Sequence, residues 1–215
     1  MKAVVQRVID ASVTVDGVLK GAVASGLLVY LGVARDDTTH DADWLIEKIP
    51  HLRIFDDENG KMNLSLLDII VNQQKEVVND SGVNHENGVV NTIRPLTEAQ
   101  RARRSRGFLK LLNSLRVLRA SNRRLHRASV RVSSSPASPI GVLAVSQFTL
   151  LGDARKGRRP TWDKAAPPEK ARELYLYFIE KMSAKVPCSS GEFQAHMKVS
   201  YTNDGPVTIL LDSRE

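Results

Sequence analysis

The sequence predicts a mixed α/β fold of the α+β kind: a mainly antiparallel sheet or partial β-barrel carrying two main helices. Three observations lead there. Apolar and polar residues alternate along residues 2–9 and 11–15, the period of a half-buried strand. Residues 27–33 and 140–145 are instead continuous apolar runs, the mark of strands covered on both faces. Outside a long basic segment, apolar residues take helical spacing twice. The resulting order of strands, helix, strands, helix, strands departs from the regular alternation of a doubly wound sheet.

Taken in order, Asp16-Gly17 supplies a hairpin turn after the first strands, because glycine reaches positive φ without a steric cost. The partner strand runs to about Ala24, and Ser25-Gly26 leads into the apolar run at 27–33. Acidic residues 36–43 suit the start of a helix that buries Trp44, Leu45, Ile49 and Leu52. Residues 53–55 read as a short strand, 58–61 as a turn and 62–66 as a further strand. Beyond the basic segment, the strand at 140–145 runs straight into Ser146. Pro167, Pro168 and Glu169 start the second helix, which carries Ala171, Leu174, Tyr175, Phe178, Ile179 and Met182 on one face. Residues 192–201 and 207–211 close the chain as strands.

The 215 residues suffice for one domain with a sizeable core, and 42% hydrophobic with 26% charged residues is ordinary for a globular protein. The one cysteine, Cys188, excludes an intramolecular disulfide and fits a reducing compartment. The first residues lack an apolar signal region, and no apolar run nears the ~20 residues that cross a bilayer. These points lead us to expect a cytoplasmic protein with no membrane partner.

The net charge of +7 is unevenly placed. Residues 71–139 hold 13 Lys and Arg against 4 Asp and Glu, while the remainder holds 18 against 20. This segment opens rich in asparagine and ends in serine and proline. Between these, Thr97 with Gln100 forms a candidate capping box, and Phe108, Leu111, Leu112, Leu115 and Leu118 share a helical face crowded by arginine. Three readings stay open: a helix riding on RNA phosphates, a membrane-surface helix, or a disordered insertion without a core role. Leu67-Asp68 and Gly141-Val142 would join smoothly without it. A single domain over 1–215 with a basic insertion at about 71–139 is therefore the expected organisation. A second basic cluster, Arg155, Lys156, Arg158 and Arg159, suits a polyanion as well as it suits solvent.

Several catalytic patterns are absent. There is no Gly-x-Ser-x-Gly elbow, no His-Glu-x-x-His and no dinucleotide glycine fingerprint. Residues 152–157 have the glycine spacing of a P-loop, but Arg158-Arg159 follows in place of Lys-Ser/Thr. The five histidines lack ligand spacing, and His51 and His196 read as ordinary surface or half-buried residues. No metal or organic cofactor is expected.

Two segments remain, Ser146-Gln147-Phe148-Thr149-Leu150 in what reads as a buried strand, and Asn203-Asp204-Gly205-Pro206-Val207-Thr208 at a turn entering the last strand. Together with residues 2–8, 11–15, 52–57 and 60–63 and with Gly157-Arg158-Arg159-Pro160, they resemble the D-aminoacyl-tRNA deacylases. The likeness runs over nearly the whole chain outside the insertion, and the two segments in this order make it specific. It implies hydrolysis of the ester joining a D-amino acid to tRNA, and of mischarged glycyl-tRNA, as chiral proofreading in translation. It also implies a homodimer in which a cis Gly205-Pro206 peptide completes the partner's site. Ser146, Gln147, Phe148 and Thr149 would be the catalytic group, with an oxyanion hole at Phe148 and Thr149. Gly205, Pro206, Val207, Thr208 and Asn203 would select chirality, and Arg7 would orient their loop. Arg155, Lys156, Arg158 and Arg159 would contact tRNA. The competing reading is a non-catalytic RNA-binding module that keeps the fold and uses the basic insertion for affinity.

Overall fold

The computed structural model of the chain describes residues 1–80 and 140–214. Its spine is β1, Lys2–Val15, one long strand where the sequence suggested two. β2 (Val18–Val23) and β3 (Gly26–Gly32) pair antiparallel with successive halves of β1. The closing strand β8 (Met197–Asp212) pairs with β1 along almost all its length. On the far side, β3 pairs in parallel with β6 (Gly141–Ser146), and β6 with β7 (Cys188–Ser190). A separate hairpin joins β4 (Phe55–Asp56) to β5 (Met62–Leu64).

The main sheet curls until β7 reaches β2, so the expected partial barrel is nearly closed. The Ser189 hydroxyl donates 3.0 Å to the Ala22 carbonyl across the gap. Gly21 permits the approach, since a Cβ there would come 2.8 Å from the Ser190 carbonyl oxygen.

Period two explains the apolar runs. Leu27, Val29 and Leu31 of β3, with Val142 and Ala144 of β6, face the helices. Leu28 of β3, with Leu143 and Val145 of β6, points into the barrel against Val8, Val13 and Val23. A strand covered on both faces has no polar side to show.

Three helices are present among the described residues where two were expected. Helix α1, Thr39–Lys48, starts where the Thr38 N–H donates 2.8 Å to Asp41. It buries Ala42, Leu45 and Ile46, with Trp44 only partly covered. The additional helix is α2, Leu66–Asp80. The expected strand at 62–66 ends early because Ser65 caps this helix: its N–H donates 2.9 Å to Asp68 and its hydroxyl receives the Asp68 N–H at 3.2 Å. Residues 71–80, read as the start of an insertion, therefore continue a helix. The rest of the segment, including the candidate box at Thr97 and the leucine face at 108–118, lies outside the described residues. Helix α3, Pro168–Ser183, matches its expectation and seats Leu174, Tyr175, Phe178 and Met182 on the sheet. Burying side chains of this size stabilises by about 1.5–3 kcal/mol each.

Candidate active site

The unbroken apolar run of β6 stops at Val145, and Ser146 is half-buried. Gln147 leaves the strand, although its N–H still donates 2.8 Å to the Leu31 carbonyl at the end of β3. Residues Phe148–Leu151 then form a single 3-10 turn. This corrects the reading of residues 146–150 as a buried strand. Turning the chain buries Leu151 beneath and pushes Phe148 and Thr149 outward, both exposed. Gly32 makes room, because a Cβ there would meet Leu151 at 2.5 Å and the Gln147 carbonyl at 3.1 Å.

The first N–H groups of such a turn have no partner within it. The backbone N–H groups of Phe148 and Thr149 donate to no described residue, and the Gln147 side chain does not cap them. Gln147 Nε2 donates instead to Thr149 Oγ1. Two consecutive backbone donors, on two exposed residues, thus stand unpaired beside an amide and a hydroxyl.

An apolar cleft of about 490 Å³ opens beside Phe148, while Thr149 does not border it. Ser146, Gln147 and Phe148 edge it, with Leu31, Val33 and Val145 behind and Tyr175, Phe193 and Met197 opposite. The Tyr175 hydroxyl donates 3.0 Å to the Ala144 carbonyl, and burial pushes its pKa up, so the cleft floor stays uncharged. The sequence marks Tyr175 only as part of the apolar face of a helix and singles out neither Phe193 nor Met197. Their only signal was aromatic and apolar content beside the strands. His196, read as an ordinary residue, is exposed but borders this cleft. Cys188 does not border it, and burial pushes its thiol up to about 11.

The second segment lies elsewhere in the chain. In the β1–β8 pairing, Gln6 faces Thr208 and Val8 faces Asn203. Arg7 alone therefore spans residues 204–207, and β8 bulges outward. The Gly205-Pro206 bond is cis, as the resemblance implied, and Gly205 sits at φ 120°. Asn203 closes the bulge: its Oδ1 accepts the Val207 N–H at 2.9 Å, and its Nδ2 donates 3.1 Å to Gln6 Oε1. Thr208 Oγ1 is 3.5 Å from the same Nδ2. Arg7, 6% exposed, reaches Asp204 Oδ2 at 2.9 Å, the Ile54 carbonyl at 2.7 Å and Asp56 at 3.3 Å.

None of residues 203–208 borders the cleft of Ser146, Gln147 and Phe148, and neither does Arg7. One chain brings together each segment but not the two segments.

The basic loop follows the turn, pinned by the antiparallel bridge between Asp153 and Thr161. Arg155, Lys156, Arg158 and Arg159 are all exposed. Arg155 folds back onto Asp153, with Nε 2.9 Å from Oδ1, and this drives the Asp153 carboxyl far below its ordinary range. Lys156, Arg158 and Arg159 make no ion pair among the described residues. Within those residues no cluster of His, Cys, Asp and Glu could hold a metal ion, and no helix is long and apolar enough to cross a membrane.

A family model described as D-Tyr-tRNA(Tyr) deacylase matches the chain at residues 4–78 and 71–212. A protein of Kosmotoga olearia named D-aminoacyl-tRNA deacylase is 44% identical over 215 residues, covering 100% of this chain and 99% of its own. The namesake from Koribacter versatilis is 41% identical over 216 residues with the same coverage. Among solved structures, the c-Myc DNA Unwinding Element Binding Protein is 29% identical with a TM-score of 0.63, covering 99% of this chain and 98% of its own. A probable eukaryotic D-amino acid tRNA deacylase shares the fold at a TM-score of 0.55 and 12% identity, covering 98% of both chains.

Proposed function

From the premise that this chain belongs to the D-Tyr-tRNA(Tyr) deacylase family, we propose that it hydrolyses the ester of D-aminoacyl-tRNA, and of mischarged glycyl-tRNA, as a proofreading enzyme. The products are the free amino acid and tRNA. The observation that carries the reading is the pair of unpartnered N–H groups at Phe148, which edges a cleft of nucleoside size, and at the adjoining Thr149.

The chemistry follows from those groups. The ester carbonyl oxygen lies against the Phe148 and Thr149 N–H donors, and the terminal adenosine occupies the apolar cleft. Water adds to the carbonyl carbon, and the developing oxyanion is stabilised by donors already in place. One such donor contributes about 2.7–4 kcal/mol in acyl transfer. Collapse of the tetrahedral adduct expels the ribose oxygen, which takes a proton relayed from the attacking water through the neighbouring ribose hydroxyl. The ester is activated, so a strong protein nucleophile is not required. Thr149 Oγ1 accepts from Gln147, which leaves its own proton free to donate, and an amide cannot serve as its base. Ser146, Gln147 and Thr149 therefore position the ester and the water.

Chirality is selected by exclusion. The Gly205-Pro206 backbone presses on the α-carbon and leaves no space for an L side chain, whereas a D side chain points outward and glycine has none. Since one chain holds the two segments apart, the partner's loop supplies this wall and the working unit is a homodimer. Among the described residues β8 pairs only with β1, which leaves its outer edge available for that association. Lys156, Arg158 and Arg159 contact the tRNA backbone. The stretches matched by the family model meet at residues 71–78, which supports one deacylase domain with the basic insertion inside it. A cytoplasmic location fits a tRNA substrate. No observation favours the non-catalytic RNA-binding alternative.

The test is deacylation of D-Tyr-tRNA and L-Tyr-tRNA in parallel, with the oligomeric state read by light scattering. Release of the D-amino acid with the L-ester spared by a dimer is expected. Loss of neither ester despite tRNA binding would sink the enzymatic reading in favour of the RNA-binding one.

A further inference from the structure

A second cleft, of about 610 Å³, opens on the other side of the Phe148–Leu151 turn, with Leu150, Leu151 and Gly152 in its wall. Most of its carboxylates are already paired: Asp36 and Asp37 with Arg214, Asp153 with Arg155, and Asp212 with Lys2. Arg35 and Lys164 border the cleft and make no ion pair among the described residues, and Asp163 makes none either. The Arg35 N–H donates 2.9 Å to the Lys164 carbonyl, and the neighbouring isolated Ala34–Ala165 bridge fixes the two segments together. Both cations are thus held on one side of the cleft. Lys156, Arg158 and Arg159 are exposed on the loop that continues from Arg155, outside the cleft wall.

Trp162 borders neither cleft itself but packs against one residue of each. Its ring meets Phe148 edge to face, with centroids 5.3 Å apart at 71°. It also packs so closely on Gly152 that a Cβ there would lie 2.5 Å from the ring. Phe148 belongs to the first cleft and Gly152 to the second. Trp162 is nevertheless 39% exposed, so part of a large aromatic surface is open to solvent.

An open aromatic ring packed on Gly152, a wall residue of the cleft that Arg35 and Lys164 border, suits single-stranded nucleic acid, whose bases stack and whose phosphates pair without sequence readout. We propose that Trp162, Arg35 and Lys164 form a subsite for the unpaired nucleotides preceding the terminal adenosine. A base stacks on Trp162, and the phosphates beside it run into the second cleft past Arg35 and Lys164. The proposal rests on the tRNA reading above. It gives the enzyme a hold on the strand remote from the ester, binding that can be used to orient the reacting carbonyl.

The test uses the full chain and a ribotetranucleotide ending in CCA, with affinity read by anisotropy of a labelled copy and stacking by intrinsic fluorescence with an unlabelled one. The chain has two tryptophans, so quenching by the RNA that disappears in W162F assigns the signal to Trp162 rather than Trp44. W162A should weaken binding on the order of tenfold. R35A/K164A should lower the slope of log K against log salt by about 1.4, two single-strand phosphates' worth. Circular dichroism melting identifies any variant that has unfolded, and W162F retains an aromatic ring in the same packing. Wild-type affinity in W162A, an unaltered salt slope in R35A/K164A, or quenching that persists in W162F would each overturn the subsite. The esterase assay stands apart. Trp162-dependent RNA binding without hydrolysis of D-Tyr-tRNA by the wild type overturns the deacylase reading and keeps the subsite, whereas hydrolysis with Trp162-independent binding does the reverse.

Discussion

Arg7 Nε lies 2.9 Å from Asp204 Oδ2 and 3.3 Å from the Asp204 carbonyl, so one guanidinium on β1 grips the residue that precedes Gly205 on β8. Its Nη1 meanwhile donates to the Ile54 carbonyl at 2.7 Å, tying the bulge to the chain just before β4. Removing the side chain leaves that buried carbonyl and the loop without a donor. R7A should therefore lose about 1.5–3 kcal/mol of stability, the worth of hydrogen bonds to a charged group. Its deacylation rate should fall on the order of 100-fold through misplacement of the loop. R7K keeps the charge, but a point-like ammonium cannot serve Ile54 and Asp204 together, and should fall between. Urea unfolding and single-turnover deacylation measure the two effects, and a wild-type rate in R7A would show that the loop does not need its anchor.

Gly205 is a second place where backbone and function meet. At φ 120° an L side chain is strained, and a Cβ would come 2.7 Å from Val207 Cγ2 and 3.3 Å from Arg7 Nη2. G205A must move Val207 or swing the bulge. The expected result is a large loss of D-ester hydrolysis with smaller change in tRNA affinity. Retained discrimination between D- and L-Tyr-tRNA in this variant would mean that the Gly-Pro backbone is not the selecting wall.

Thr149 offers a test of mechanism. If it only positions water and ester, T149S should keep most activity and T149A should lose it, with no acyl-enzyme at any time. Rapid quench followed by intact-mass spectrometry reads this directly. A covalent adduct on Thr149 would contradict positioning and require a base other than the Gln147 amide that its hydroxyl meets.

Much of the fold was legible because burial writes a period into sequence. The two-sided cover of β3 and β6 shows as unbroken apolar runs, and the buried face of α3 shows as Leu174, Tyr175, Phe178 and Met182. The misreadings cluster where one or two residues switch the chain from one conformation to another. Ser65 and Asp68 cap a helix, but Leu64 and Leu66 around them alternate as a strand would. Gln147 ends β6, yet the apolar Phe148 and Leu150 beyond it imitate continued burial. The cleft was hidden for another reason. Ser146, Tyr175 and Phe193 converge from β6, α3 and the loop before β8, and such separation leaves no local spacing to read. Arg155 reads as a free cation in the sequence, yet it folds back onto Asp153, a pairing that no charge pattern marks.

Asp41 yields a prediction in pH. Burial raises its pKa, but the Ser213 hydroxyl donating at 2.7 Å and the Thr38 N–H at 2.8 Å outweigh that, and the carboxyl is held at about 2 against an ordinary 3.8. A depressed folded-state pKa means that the contribution to stability is present above the unfolded value and is lost as pH falls through the folded one. The ionised carboxylate therefore steadies the start of α1 at pH 7 and through pH 4, and ceases to do so near about 2. D41N keeps the shape and removes the charge. Its melting temperature should lie below that of the wild type at neutral pH, and the gap should close between pH 4 and about 2. Comparing the two proteins at each pH cancels the other acidic groups, such as Asp68 and Asp153, whose carboxyls are also lowered. A gap that stays constant across that range would mean that Asp41 supports α1 by its shape and hydrogen bonds rather than by its charge.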